Sequence, residues 1–129
     1  AQRAGVEQRL SSPIPIQETD RGILTIAPHG RLDANRIPSL EAALMDLLTQ
    51  EHHWILVDMS QVTYIASRGL KTLVWGWRTA LDAGGKLAVC GLTERVYDLF
   101  ETVGFTQVFD IYETVEEGVI ALGYERARG

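Results

Sequence analysis

The sequence lacks the features that mark secreted, membrane and nucleic-acid-binding proteins. Its 129 residues include a single cysteine, Cys90, which excludes an internal disulfide framework and fits a reducing cytoplasm. The longest apolar runs have the length of a strand, far below the about 20 residues that a membrane span requires. The net charge is −5, whereas nucleic-acid binding requires a basic surface. These absences predict a cytoplasmic globular domain whose main ligand is neither a membrane nor a nucleic acid.

Signatures of catalysis and of cofactor binding are missing as well. The glycine patterns that cradle phosphates and dinucleotides are absent. His52 and His53 are adjacent on an extended segment and point to opposite sides, so they chelate a metal poorly. Ser67 does not lie in a nucleophile-elbow motif, and Cys90 falls in a predicted buried strand as a core residue. We therefore expect no catalytic residue, no metal and no cofactor, and the chain is not predicted to be an enzyme.

Strand and helix patterns alternate along most of the chain. This order predicts an α/β fold with a mixed, mostly parallel sheet, an N-terminal β-hairpin and helices packed against the sheet. The domain is expected to span 13–124, with an N-terminal arm over 1–12 and a polar C-terminal tail over 125–129. The predicted strands lie at 14–17, 23–33, 54–57, 86–90 and 108–111, and the predicted helices at 37–48, 68–83, 93–104 and 115–124.

Three separated motifs carry a resemblance to a known family. The stretch DMSQVTYIASRGL at 58–70 resembles the central motif of the STAS domain, the family of anti-sigma-factor antagonists and of the cytoplasmic tails of sulfate transporters. The segment GRLD at 30–33 is similar to the family's loop before the first long helix. The segments GGKL and CGL, at 84–87 and 90–92, resemble its next helix-to-strand turn and strand end. Their order and spacing together imply a STAS-like fold.

The resemblance also implies a function for the strand-to-helix junction at Ser67. In anti-sigma-factor antagonists, the serine or threonine at this junction is phosphorylated by a partner that is both anti-sigma factor and kinase. The unphosphorylated antagonist binds that partner and so releases the sigma factor. Ser67 is the matching residue here. Two neighbours depart from the family pattern, because Ala66 replaces a frequent acidic or hydroxyl residue and Arg68 replaces a commonly small one.

The residues around this junction predict a protein-binding surface. Ser67 is expected to cap the helix that begins at Arg68, so that a phosphate would lie at the positive end of the helix dipole. Trp75 falls on the polar face of that helix, either as an interface anchor or as an ordinary exposed aromatic. Asp33 is expected either to contact the partner or to cap the first helix. The predicted partner-binding residues are Asp33, Ala66, Ser67, Arg68, Gly69, Lys71 and Trp75.

The same helix carries two further stripes of residues. A small-residue stripe allows close approach by a neighbouring helix of the domain or by a partner, and it consists of Gly69, Thr72, Gly76 and Ala80. An apolar stripe is expected to face the sheet, and it consists of Leu70, Leu73, Val74, Trp77 and Leu81.

Three functions are compatible with these observations. The first is an anti-sigma-factor antagonist that binds an anti-sigma factor and serine kinase, controlled by phosphorylation of Ser67. The second is a cytoplasmic STAS subunit of a membrane transporter, such as a lipid ABC system, which uses the same surface without phosphorylation. The third is a small-molecule or nucleotide-sensing domain.

Overall fold

The chain enters its sheet through an antiparallel hairpin. In the computed structural model, which describes residues 14–128, β1 (Ile16–Glu18) pairs with β2 (Leu24–Ile26). The arm expected over 1–12 lies outside the described residues. The elements that follow are β3 (His29–Leu32), α1 (Ile37–Thr49), β4 (Trp54–Asp58), β5 (Gln61–Ile65), α2 (Ser67–Asp82), β6 (Lys86–Cys90), α3 (Glu94–Thr102), a 3-10 helix (Phe105–Gln107), β7 (Ile111–Tyr112) and α4 (Val115–Arg128).

The main sheet has the strand order β1-β2-β4-β6-β7. Every neighbouring pair in it is parallel except the β1-β2 hairpin, which confirms the predicted mixed, mostly parallel sheet. Both faces of the central strands are covered. In β4, Ile55 and Val57 belong to the larger core cluster with α1, α2 and α3, whereas Leu56 belongs to the smaller cluster under α4. A continuous apolar run is the expected pattern for such a strand. No helix within the described residues has the length and hydropathy of a membrane span.

A second, two-stranded parallel sheet forms from β3 and β5, and the sequence did not predict it. The segment at 29–33 was expected to continue the second strand, and no strand was predicted between the one at 54–57 and the helix at 68–83. β2 ends at Ile26 and β3 begins at His29, and Gly30, with φ 82°, lies where the register between β3 and β5 shifts. The pairing sets Leu32 opposite Ile65 and brings the carboxyl ends of both strands together.

The C-terminal part differs from the prediction at two places. The strand expected at 108–111 is reduced to β7, because the chain first forms the 3-10 helix and buries Phe109 against the ring of Phe100. The last helix was expected to end near Tyr124 but continues to Arg128, so residues 125–128 are helical and do not form an extended tail. Glu125 is held by an ion pair with Lys86 at 2.8 Å, which stabilises this extra turn.

Candidate partner-binding site

Ser67 is exposed and occupies the first position of α2. The prediction that Ser67 caps this helix is wrong, because Ala66 already has the extended conformation of a cap, with φ −79° and ψ 165°. The carbonyl of Ala66 accepts the first helical hydrogen bond, from the N–H of Leu70 at 3.1 Å. The Ser67 hydroxyl has no hydrogen-bond partner among residues 14–128. It is therefore open to solvent and to a partner.

Asp33 lies beside this junction on the neighbouring strand end. The N–H of Ala66 donates to the carbonyl of Leu32 at 3.0 Å, which places the residues that follow both strands side by side. The Asp33 carboxylate accepts from the N–H of Asn35 at 3.0 Å and closes the turn before α1. The N-cap position of α1 belongs to Arg36, so Asp33 shapes the turn without being the cap.

Arg68 is bound to an acidic residue of α1. Its guanidinium contacts both carboxylate oxygens of Glu41, with Nη2 at 3.0 Å from Oε1 and Nε at 3.3 Å from Oε2. The hydroxyl of Thr72 also donates toward Glu41, with its oxygen 3.2 Å from Oε2 of Glu41 and 2.9 Å from the carbonyl oxygen of Arg68. The pair is partly exposed and ties α1 to α2. Arg68 is therefore preorganised by Glu41, and its contact with a phosphate or a partner would compete with this pair.

A groove of about 450 Å³ opens between α1 and α2 next to this ion pair. Two of its lining residues are apolar and exposed, Met45 with a relative accessibility of 56% and Trp75 with one of 43%. The sequence predicted Trp75 as exposed but missed Met45. Met45 is an apolar residue outside the buried stripe of α1, and this position could have indicated its exposure. The groove is lined by Glu41, Met45, Arg68, Lys71, Thr72 and Trp75.

The small-residue stripe of α2 faces the interior and accommodates α1, its neighbour in the same domain. A Cβ on Gly76 would lie 3.3 Å from Leu44 of α1, and a Cβ on Gly69 would lie 2.7 Å from Ile65. Gly69 is buried, so it lies away from the exposed surface on which it was predicted. The predicted apolar stripe is correct for Leu73 but wrong for Leu81, which is 48% exposed. Because Gly69 and Gly76 pack against interior residues, the small-residue stripe of α2 faces the core and Leu81 faces solvent.

The exposed or half-buried residues that the structure brings together are named here the Ser67 surface: Asp33, Ala66, Ser67, Arg68, Lys71 and Trp75. A larger cleft, of about 1060 Å³, opens at the ends of β6 and β7 and contains none of these residues. Residues 14–128 contain no cluster of three or more side chains that could hold a metal ion.

An exposed serine at a strand-to-helix junction, beside a mixed sheet with an N-terminal hairpin, is the arrangement expected of the STAS class of domains. The sequence profile of the STAS domain matches residues 15–118, and the chain belongs to this family. The resemblance carried by the three sequence motifs is therefore confirmed.

Curated relatives agree with this assignment. The anti-sigma-B factor antagonist of Listeria monocytogenes is 29% identical over 98 residues, which cover 76% of this chain and 86% of that protein. The anti-sigma-B factor antagonist of Bacillus subtilis is 30% identical over 90 residues, which cover 70% of this chain and 82% of that protein. The chain is thus similar to these antagonists over most of their length.

Solved structures share the fold at lower sequence identity. An anti-sigma factor antagonist from Mycobacterium paratuberculosis superposes with a TM-score of 0.74 at 19% identity, covering 84% of this chain and 92% of that one. The Bacillus cell fate determinant SpoIIAA in its phosphorylated form superposes with a TM-score of 0.68 at 16% identity, covering 84% of this chain and 97% of that one. These structures confirm the STAS-like fold predicted from the sequence.

Proposed function

We propose that the chain is an anti-sigma-factor antagonist, and that its Ser67 surface binds one partner that is both an anti-sigma factor and a serine kinase. The observation that carries the proposal is the position of the Ser67 hydroxyl, which is exposed and unpartnered within the described residues. The similarity to anti-sigma-B factor antagonists supports the choice of partner. The role is one of binding in the cytoplasm, and it assigns no catalysis to this chain.

Phosphorylation of Ser67 is proposed as the control of this binding. A phosphate on the first residue of α2 would be stabilised by the free N–H groups and the dipole of a 16-residue helix, so the domain stays folded. It would add about −1.5 to −2 charges to the surface. Arg68 is already paired with Glu41, so a docked partner would meet a phosphate that is only partly neutralised. A loss of about 1.4 kcal/mol in binding free energy lowers affinity about tenfold.

Mass spectrometry after incubation with a cognate anti-sigma factor and Mg-ATP tests the phosphorylation. Trypsin releases residues 37–68 as one peptide, because no lysine or arginine lies between Arg36 and Arg68. This peptide also contains the exposed Ser60, so Ser67→Ala and Ser60→Ala are compared. We expect the added phosphate to disappear in Ser67→Ala and to persist in Ser60→Ala. Phosphate that persists in Ser67→Ala would refute the assignment of the site.

A binding measurement separates docking from phosphorylation. The unmodified chain should bind the anti-sigma factor, and the phosphorylated chain should bind it at least tenfold more weakly. Equal affinity of the unmodified and the phosphorylated chain for the anti-sigma factor would support docking and refute control by Ser67. Co-purification with an ABC transporter ATPase, and no binding to an anti-sigma factor, would favour the transporter subunit instead.

A further inference from the structure

Two arginines from different elements meet over one aromatic ring. The guanidinium carbon of Arg31, on β3, lies 4.5 Å from the ring centroid of Tyr64, and that of Arg95, on α3, lies 5.8 Å from it. Both arginines are exposed, and neither forms an ion pair within residues 14–128. Tyr64 lies on β5, three residues before Ser67. The cluster of Arg31, Tyr64 and Arg95 therefore lies close to the Ser67 surface but outside it.

Stability alone does not account for this arrangement. Both arginines lie within the range of cation–π attraction to Tyr64, but the two guanidinium groups that share this ring also repel each other. The two guanidinium carbons are at most about 10 Å apart, a separation comparable to the screening length of roughly 8 Å at physiological salt, so their repulsion is strongest at low salt. Arg95 also lies in the first turn of α3, the positive end of the helix dipole, where a cation is disfavoured.

We infer that Arg31 and Arg95 form a docking point for an acidic segment of a protein partner. Charge complementarity identifies the occupant, because carboxylates would relieve the repulsion between the guanidinium groups and face the N-terminus of α3. Glu94, the neighbouring acid in that turn, lines the cleft beside β7 and forms no ion pair with either arginine. A long polyanion such as a nucleic acid is repelled by the net charge of −5, whereas a short acidic segment meets only the local positive field.

NMR titration of the isolated chain with a short polyglutamate peptide tests this inference. We expect shifts centred on Arg31, Tyr64 and Arg95, which weaken with added salt and are absent with polyglutamine of the same length. Arg31→Gln and Arg95→Gln should each lower affinity by about fivefold. Arg78→Gln is the matched control, because Arg78 is also exposed and forms no ion pair within the described residues.

Two results would overturn the inference. An equal loss of affinity in Arg78→Gln would show nonspecific attraction to surface charge. Inorganic phosphate that shifts the same signals at the same concentration as the peptide would show a simple anion site with no preference for an acidic segment. The inference does not rest on the proposed function, because the titration uses no anti-sigma factor. Failure of the Ser67 experiments would leave its outcome unchanged.

Discussion

The guanidinium of Arg68 donates hydrogen bonds to both carboxylate oxygens of Glu41, at 3.0 and 3.3 Å, and so joins the first turn of α2 to α1. A bidentate pair fixes the orientation of an arginine as well as its charge. The sequence predicts Arg68 as a partner-binding residue, and a phosphate on the neighbouring Ser67 would attract its guanidinium as well. The pair with Glu41 means that either contact requires Arg68 to be shared or released.

Glu41→Gln should therefore weaken the link between α1 and α2. Because the pair is partly exposed, we expect the free energy of unfolding to fall by at most about 1 kcal/mol, with a smaller loss at high salt. Urea denaturation measures this change. Asp46→Asn is the control, since Asp46 is an exposed acid of the same helix and forms no ion pair within residues 14–128. Equal losses in both variants would contradict a specific role for the pair.

Gly69 is predicted to be intolerant of a side chain. A Cβ at this position would lie 2.7 Å from Cγ1 of Ile65, so Gly69→Ala should lower the free energy of unfolding by about 1–3 kcal/mol despite its better helix propensity. Gly76→Ala is the matched comparison in the same helix, because its nearest contact would be 3.1 Å, to Leu87. Thermal or urea denaturation should show the smaller loss in Gly76→Ala. A reversed order would mean that Ile65 yields more easily than Leu87.

Local patterns predicted those parts of the fold that depend on neighbouring residues. The apolar run of β4 indicated a strand buried on both faces, and the structure has it in that position. Thr93, at the start of the helix predicted over 93–104, is a residue type that caps helices, and its hydroxyl accepts from the N–H of Val96 at 3.3 Å. The segment TVEE at 114–117 has the sequence of a capping box, and the N–H of Glu117 donates to the hydroxyl of Thr114, whereas the Glu117 carboxylate accepts from the N–H of Glu113. Caps and periodicity are short-range properties, which explains their success.

The unpredicted parts depend on contacts between distant segments. The sheet of β3 and β5 joins 29–32 to 61–65, and its short strands of mixed polarity give no clear pattern. The groove beside Trp75 needs Glu41 and Met45 from α1, whose proximity follows from the packing of α1 on the glycines of α2. The exposed face of Trp75 was predictable from helical spacing, but its neighbours across the groove were not.

Cys90 is predicted to be unreactive in the folded protein. Burial, and secondarily the charge of Asp58, raises the pKa of its thiol to about 12, and the thiolate is the reactive form. A maleimide should therefore label the native chain slowly at pH 8 and the urea-unfolded chain readily. Fast labelling of the native chain, at the rate of the unfolded one, would contradict the burial of Cys90.

The same shift makes stability depend on pH. Because the pKa of Cys90 is higher in the folded state than its usual value of 9.0, the folded chain keeps a proton that the unfolded chain loses. This stabilising contribution is complete below about pH 9 and is lost as pH rises from 9 toward 12, by at most about 1.4 kcal/mol per pH unit. Urea denaturation of the unsubstituted chain and of Cys90→Ala at pH 8 and pH 10 measures this contribution. From pH 8 to pH 10 the free energy of unfolding of the unsubstituted chain should fall more than that of Cys90→Ala. An equal fall in both chains would contradict the shift.

Trp75 is predicted to contribute to partner binding and little to folding. Trp75 is 43% exposed and lines the groove beside Arg68, whereas the core face of α2 is built from smaller residues. Trp75→Ala should lower affinity for the anti-sigma factor by about tenfold or more, as truncation of an aromatic anchor does, with little change in melting temperature. Leu81→Ala is the matched control, since Leu81 is a large apolar residue of the same helix that is 48% exposed and lies outside the groove. Calorimetry of binding and thermal unfolding of both variants separate the two roles. A stability loss in Trp75→Ala with unaltered affinity would make Trp75 a structural residue and would remove the groove from the interface.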